Sequence, residues 1–430
     1  MRIEGSNPSI ANPGAGRWRV AAILFIAALA LRITLLFAAP NYNRLPPMEM
    51  ERIARSFALK GELADPYVLP TGPTAHALPL YPLLLGSIYR VWGTGSAGQA
   101  AQGIFSCTLA ALRCALLYPL VLFLGLGDRT AMLSSVLSCL YIPAFATEIR
   151  GGWDAPLTAL FLMAIVCLAI RLMRNRNLTI RSAAACGAFL GLATLLSATL
   201  LAVAVGFLVL GAWHFRTQFW RYALWCTISL VVVALCLLPW GLRNRRELGE
   251  MVWLRSDLGF ELWQAYHDHA GYGALDSNNL LGPASNVQSA EQVRILGEIR
   301  YNRMLKEDAV QWIRSHPARA AQLFLGHVFY FWFPPGQTPL IRLLRASLTL
   351  AAFAGLLLLL LDGAPAVYIL AAVWVFFPLI YYVVYWSSRY RYPMEWTLLI
   401  AASSAIWSFW SACEKIVLPR SAGTVPLSRK

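Results

Sequence analysis

Residues 20–37 read VAAILFIAALALRITLLF, with Arg32 the one charge inside the run. At 1.5 Å per residue, a helix of that length crosses a hydrocarbon core about 30 Å thick. Runs of this kind recur along the chain. Hydrophobic residues make up 58% and charged residues 13% of the 430, and mean hydropathy is +0.56. A soluble domain is about 45–50% apolar and about 25% charged. The chain therefore reads as an all-α polytopic membrane protein, not as a string of soluble domains.

The net charge of +15 and pI of 9.7 would suit nucleic acid. The placement of the basic residues excludes it. Arg171, Arg174, Arg176 and Arg181 crowd one short loop between apolar runs with no acid among them. That is the mark of a cytoplasmic loop, with anionic lipid headgroups as the counter-charge. The eight cysteines form no CxxC pair, and nearly all fall inside apolar runs. They read as small buried hydrophobes rather than a disulfide framework or zinc site.

Arg17 and Arg19 hold the start of a first span, Trp18 to Ala39, in the cytoplasm. The run is too long for a signal-peptide core, so an uncleaved span is expected. Further spans are expected over Ala100–Leu126, Thr130–Ala146, Ala155–Ile170, a pair split near Ser197 within Ala183–Trp213, Tyr222–Trp240, Ser347–Leu361, Ala366–Trp386 and Trp396–Trp410. That makes about ten transmembrane helices. The whole chain, 1–430, reads as one membrane-embedded domain with a first outer loop at 41–98, a second outer loop region at 243–346 and a cytoplasmic tail at 414–430.

In the first loop, Met48–Lys60 has helical spacing. Met50, Ile53 and Phe57 form an apolar stripe, and Glu49, Arg52, Ser56 and Lys60 face away. Leu78–Trp92, interrupted by Pro79 and Pro82, reads as a surface helix. The second loop holds Asp257, His267, Asp268 and His269, a Gly/Asn-rich stretch from Gly271 to Asn286, and a charged helix from Glu291 to Ser315. Ala318–Phe333 is read as a further surface helix, which leaves Lys415, Arg420, Arg429 and Lys430 in the cytoplasm.

Three polar groups then share the outer side: Glu49-Met50-Glu51, Arg150-Gly151-Gly152-Trp153-Asp154 and Arg389-Tyr390-Arg391-Tyr392-Pro393. Carboxylates facing arginines at a membrane surface suit a phosphate-bearing lipid substrate. Arg forks grip phosphate, and a carboxylate takes a proton from an acceptor hydroxyl.

These residues resemble the GT-C superfamily of glycosyltransferases that use polyprenyl-phosphate sugars, near the protein-mannosyltransferase and aminoarabinose-transferase branch (glycosyltransferase family 39). Glu49-Met50-Glu51 is similar to the E-x-E form of that superfamily's first-loop motif. The stretch from Pro73 to Leu85 resembles its Pro-Leu-Tyr segment. Asp154-Ala155-Pro156-Leu157 resembles its Asp-x-Pro-Leu, and Gly187–Ser197 its Gly-rich broken helix. Arg389–Pro393 resembles its Arg-Tyr-x-x-Pro element. The pattern departs from many members in having Pro46-Pro47-Met48 ahead of Glu49.

The resemblance implies a GT-C-like bundle in the bacterial inner (plasma) membrane. It implies inverting transfer of a sugar from a polyprenyl-phosphate donor to a glycan, lipid or protein acceptor on the outer face. Membrane lipids are partners and nucleic acid is not. No cofactor is assigned beyond the lipid-linked donor, and a divalent metal stays open. Glu49 and Asp154 are the expected catalytic carboxylates. Glu51, Arg150, Arg389, Arg391, Tyr390 and Arg32 are the expected substrate-binding residues.

Each has a plainer reading. Glu49 also suits a helix N-terminus, Glu51 an i,i+4 pair with Arg55, and Asp154 the cap of a span. Arg389 and Arg391 also suit headgroup anchors. Arg32 and Arg113 lie inside spans, where a charge costs about 3 kcal/mol or more, so each needs a partner. His267 and His269 lack a marked third metal ligand. Trp263 and Tyr266 are candidates to stack on a saccharide. Two rival functions are a transporter of a lipid-linked glycan, which would place ionisable groups near the midplane, and a non-catalytic membrane scaffold.

Overall fold

Leu24, Ala28 and Leu36 pack inward from the first helix, while Ile23 and Ile26 on its other side are exposed. A helix that is apolar on its outward face belongs in lipid. The computed structural model describes residues 15–39, 47–273, 282–336 and 338–417. That first helix is α1 (Ala15–Ala38). The first loop carries α2 (Glu49–Lys60) and α3 (Leu80–Trp92). Next come α4 (Ser96–Phe123), α5 (Asp128–Leu140), α6 (Ile142–Arg150), α7 (Ala155–Asn175), α8 (Ile180–Leu196), α9 (Ala198–His214) and α10 (Phe219–Leu248). The second loop carries α11 (Leu258–Ala265), α12 (Val287–Leu296), α13 (Glu298–Ser315) and α14 (Pro317–Trp332). The chain then forms α15 (Pro339–Leu361), α16 (Ala366–Phe376), α17 (Ser388–Arg391) and α18 (Glu395–Val417).

Among the described residues six helical stretches are long and apolar enough to cross a membrane: α1, α4, α7, α10, α15 and the stretch holding α17 and α18. The bent pair α5–α6 makes a seventh, and α8, α9 and α16 are shorter apolar helices. These segments lie where ten spans were expected, but six of them, or seven with the bent pair, have the length and apolarity to cross a membrane. The protein is an all-helical polytopic membrane bundle.

Several boundaries differ from expectation. The expected span Thr130–Ala146 is instead two helices at 59°. Pro143, in the first turn of α6, has no amide to donate back to the preceding turn, and the helix breaks at Tyr141, which is extended. The charged helix expected over Glu291–Ser315 is split at Gly297, whose φ of +79° only glycine adopts readily. The span expected at Ala366–Trp386 is α-helical only to Phe376, followed by a 3-10 turn at Ile380–Tyr382. The split near Ser197 falls at Ser197 itself, in extended conformation between α8 and α9. Residues 274–281, half of the Gly271–Asn286 stretch, and most of the tail, from residue 418 onward, lie outside the described residues.

The main core runs continuously through the bundle and takes in the loop helices, from Ile53 and Leu85 to Leu162, Leu370 and Trp396. The two loops also clamp each other. Tyr67 of the first packs with Phe260, Val293, Tyr301 and Leu305 of the second. Arg52 donates to the Ala284 carbonyl at 3.0 Å, and Arg243 donates to the Thr74 and Leu63 carbonyls, each at 2.7 Å. Both loops therefore cover one end of the bundle, where α1 finishes and α4, α7 and α18 begin.

Candidate functional site at the loop-covered end

α2 starts with two acids, which the positive end of the helix dipole favours. Glu51 turns back on this end, and its Oε2 accepts from the Met48 N–H at 2.6 Å. Its Oε1 accepts from the Gln102 amide at the start of α4, and Tyr89 of α3 donates to the Gln102 side-chain oxygen. Met50, Ile53 and Ala54 are buried against α3. Ser56, expected on the outward face, is buried too, so α2 is sandwiched rather than laid on a surface.

The same Gln102 amide also donates to the Arg150 carbonyl, at 3.3 Å. Tyr81 donates to the Gly151 carbonyl at 2.6 Å. Gly151 (φ +68°) ends α6, and Gly152 then lies against the Glu51 carboxylate. The turn between α6 and α7 is thus fastened to the start of α2. It delivers Asp154, which accepts from Thr158 at 3.3 Å. Burial raises the Asp154 pKa, against the pull of Arg389 and Arg255.

Arg389 comes from the third expected motif. Its guanidinium sits 3.5 Å from the centre of the Trp153 ring and donates to the Tyr390 hydroxyl at 3.1 Å. Tyr390 stacks on Tyr381 with ring centres 4.5 Å apart. Arg389 lies within electrostatic range of Glu49, Asp154, Asp257 and Glu261. Glu49 is half-buried, with no side-chain hydrogen bond among the described residues.

Arg391 points the other way. It is 1% exposed, donates to the Trp332 carbonyl at 2.7 Å and to Thr349 at 3.0 Å, and pairs with Glu395 at 3.3 Å. It ties the start of α18 to α14 and α15. Arg32, a candidate for substrate, is fully buried and pairs with Glu148 at 2.9 Å. Arg113 meets the same carboxylate at 3.0 Å, and Tyr392 donates to it at 2.8 Å. Both intramembrane arginines thus find a buried partner rather than the cleft. Glu148 was not among the expected residues: two intramembrane arginines called for a buried acid, but nothing local in the sequence marks which one.

Glu261 and Arg255 were not among the expected residues either. Arg255 pairs with Asp257 and donates to the His76 carbonyl at 2.9 Å. Glu261 Oε2 is buried without a partner. Burial, and then the Asp257 charge, push its pKa up to about 7. Burial holds His76 neutral, well below the usual histidine range, with the Arg255 charge acting the same way. Burial likewise raises Asp257 against the opposing Arg255 charge. Trp263 stacks on His267 and Tyr266 packs against His327, so both rings already have partners. Among the described residues no three His, Cys, Asp or Glu side chains are grouped to hold a metal.

Solved structures with a similar fold come from Archaeoglobus fulgidus. The oligosaccharyltransferase AglB, in complex with an inhibitory peptide and a dolichol-phosphate, matches with TM-score 0.54 and 13% identity over 96% of this chain. The oligosaccharyltransferase tethered with an acceptor peptide containing the NVT sequon matches with TM-score 0.56 and 15% identity, also over 96%. The chain spans about half the length of these proteins, 53% and 52%. A looser likeness, TM-score 0.40 and 14% identity, is to ArnT from Cupriavidus metallidurans bound to undecaprenyl phosphate. No family model and no curated protein matches the chain.

Proposed function

We infer that the chain, whose fold is similar to that of the Archaeoglobus fulgidus oligosaccharyltransferase, is a membrane glycosyltransferase of the GT-C type. We propose that it transfers a sugar from a polyprenyl-phosphate donor to an envelope lipid, glycan or protein acceptor on the outer face of a bacterial inner membrane. The observation that carries this reading is the meeting of Glu49, Asp154 and Arg389 at one end of the bundle. Glu49 takes the proton from the acceptor. The acceptor atom attacks the anomeric carbon as the bond to the phosphate oxygen breaks, and the electron pair leaves with the polyprenyl phosphate. Attack in line with the leaving group inverts the centre. Asp154 orients the acceptor. Arg389, rather than the inward-facing Arg391, offsets the charge growing on the phosphate, with Tyr390 holding it. Arg150 borders the same cleft, and Glu51 fixes the start of α2.

Residues 1–430 are proposed to act as one membrane-embedded domain, a reading supported by the interlocked loops at 41–98 and 243–346. The tail at 414–430 would lie on the cytoplasmic side. The transporter reading would place ionisable groups along a path, but Arg32, Arg113 and Glu148 are buried against one another.

The test is to supply purified protein in nanodiscs with synthetic polyprenyl-phosphate sugars and follow release of polyprenyl phosphate by mass spectrometry. Release with sugar transfer and inversion is expected. Donor movement across a vesicle bilayer without transfer would replace the enzyme by the transporter.

A further inference from the structure

The opposite end of the bundle, where α4 and α7 finish and α1, α8 and α10 begin, holds a cavity of about 1080 Å³. That slightly exceeds the roughly 300–1,000 Å³ of ordinary small-molecule sites. Its walls are apolar, with Leu116, Leu160, Phe189 and Phe207 among them. Its mouth carries Arg17, Arg171 and Arg174, and no Asp or Glu among the described residues lines it. Arg174 is partly committed, donating to the Phe123 carbonyl at 2.8 Å with its guanidinium 4.6 Å from that ring's centre. Arg171 is exposed and Arg17 half-buried.

An apolar chamber of this size accepts acyl chains. Guanidiniums at its mouth suit a phosphate, which Arg recognises with two parallel hydrogen bonds. A zwitterionic headgroup would bring an ammonium that meets no lining carboxylate. We infer that this cavity binds an anionic glycerophospholipid from the leaflet at that end, chains inward and phosphate against Arg17 and Arg171. The site is separate from the carboxylate cleft and does not depend on its chemistry.

Native mass spectrometry of the delipidated full chain, titrated with phosphatidylglycerol or phosphatidylcholine, tests this. One phosphatidylglycerol is expected to bind at concentrations where phosphatidylcholine does not. The Arg17→Ala/Arg171→Ala double variant should bind it about thirty-fold more weakly, as expected for the loss of two arginine–headgroup contacts. Ala164→Phe, which fills the chamber without touching its charge, should lose it as well. Added polyprenyl phosphate should leave the phosphatidylglycerol in place. Equal binding of the two phospholipids, unchanged binding in either variant, or displacement by polyprenyl phosphate would overturn the assignment. So would binding that appears only after residues 1–14 are removed, since the chain's own N-terminal segment would then be the occupant.

Discussion

A Cβ placed on Gly152 would lie 3.2 Å from the Glu51 carboxyl carbon and 3.3–3.4 Å from its two oxygens. The start of α2 and the turn that presents Asp154 therefore meet at a point with no room for a side chain. Gly152→Ala should shift the carboxylate by a few tenths of an ångström and Gly152→Val by more. Displacements near 1 Å can cost about 10²-fold in rate. Turnover should fall stepwise from Gly to Ala to Val. Equal turnover in all three would separate this contact from the site.

Arg389 and Arg391 stand two residues apart with opposite expected effects. Arg389→Ala should lower turnover by about 10²–10³-fold, the range for losing one electrostatic stabiliser, at little cost in stability. Arg391→Ala strands Glu395 among buried groups and should destabilise by about 3–5 kcal/mol. Turnover and thermal inactivation measured together on both variants check this. The reverse pattern would return Arg391 to the cleft.

Removal of Glu148 should be costly for the same reason. Glu148→Gln leaves Arg32 and Arg113 buried without a counter-charge, a loss of about 3–5 kcal/mol. The midpoint of thermal inactivation should drop, and Arg32→Met in the same background should restore part of it.

Glu261 sets a pH dependence. Its folded pKa, about 7, lies above the ordinary value of 4.5. Below pH 4.5 the carboxyl is protonated whether folded or unfolded, and it costs nothing. Between 4.5 and about 7 the unfolded chain releases the proton and the folded one keeps it, so stability falls as pH rises. Glu261→Gln should flatten the stability profile across that window. An unchanged slope in the variant would mean that Glu261 titrates normally.

The apolar helical segments, the acidic start of α2 and the break at Ser197 were legible because each is a local feature of hydropathy or helix punctuation. Glu148 was not. It sits in a short apolar stretch, and its partners Arg32 and Arg113 are 116 and 35 residues away. Which of Arg389 and Arg391 faces the cleft depends on how the four-residue α17 is rotated, which no periodicity over so short a helix reveals. Asp257 and Glu261 join the site only because the second loop folds over the first, through contacts such as Arg52 to Ala284, 232 residues apart.

In the proposed reaction Glu49 and Asp154 act in one cleft on one donor. The direct measurement is polyprenyl-phosphate release by purified Glu49→Gln and Asp154→Asn proteins, each shown to be folded. Losses of about 10²–10⁴-fold are predicted for Glu49→Gln, with Asp154→Asn also strongly impaired. Turnover within a few-fold of wild type in both would contradict it.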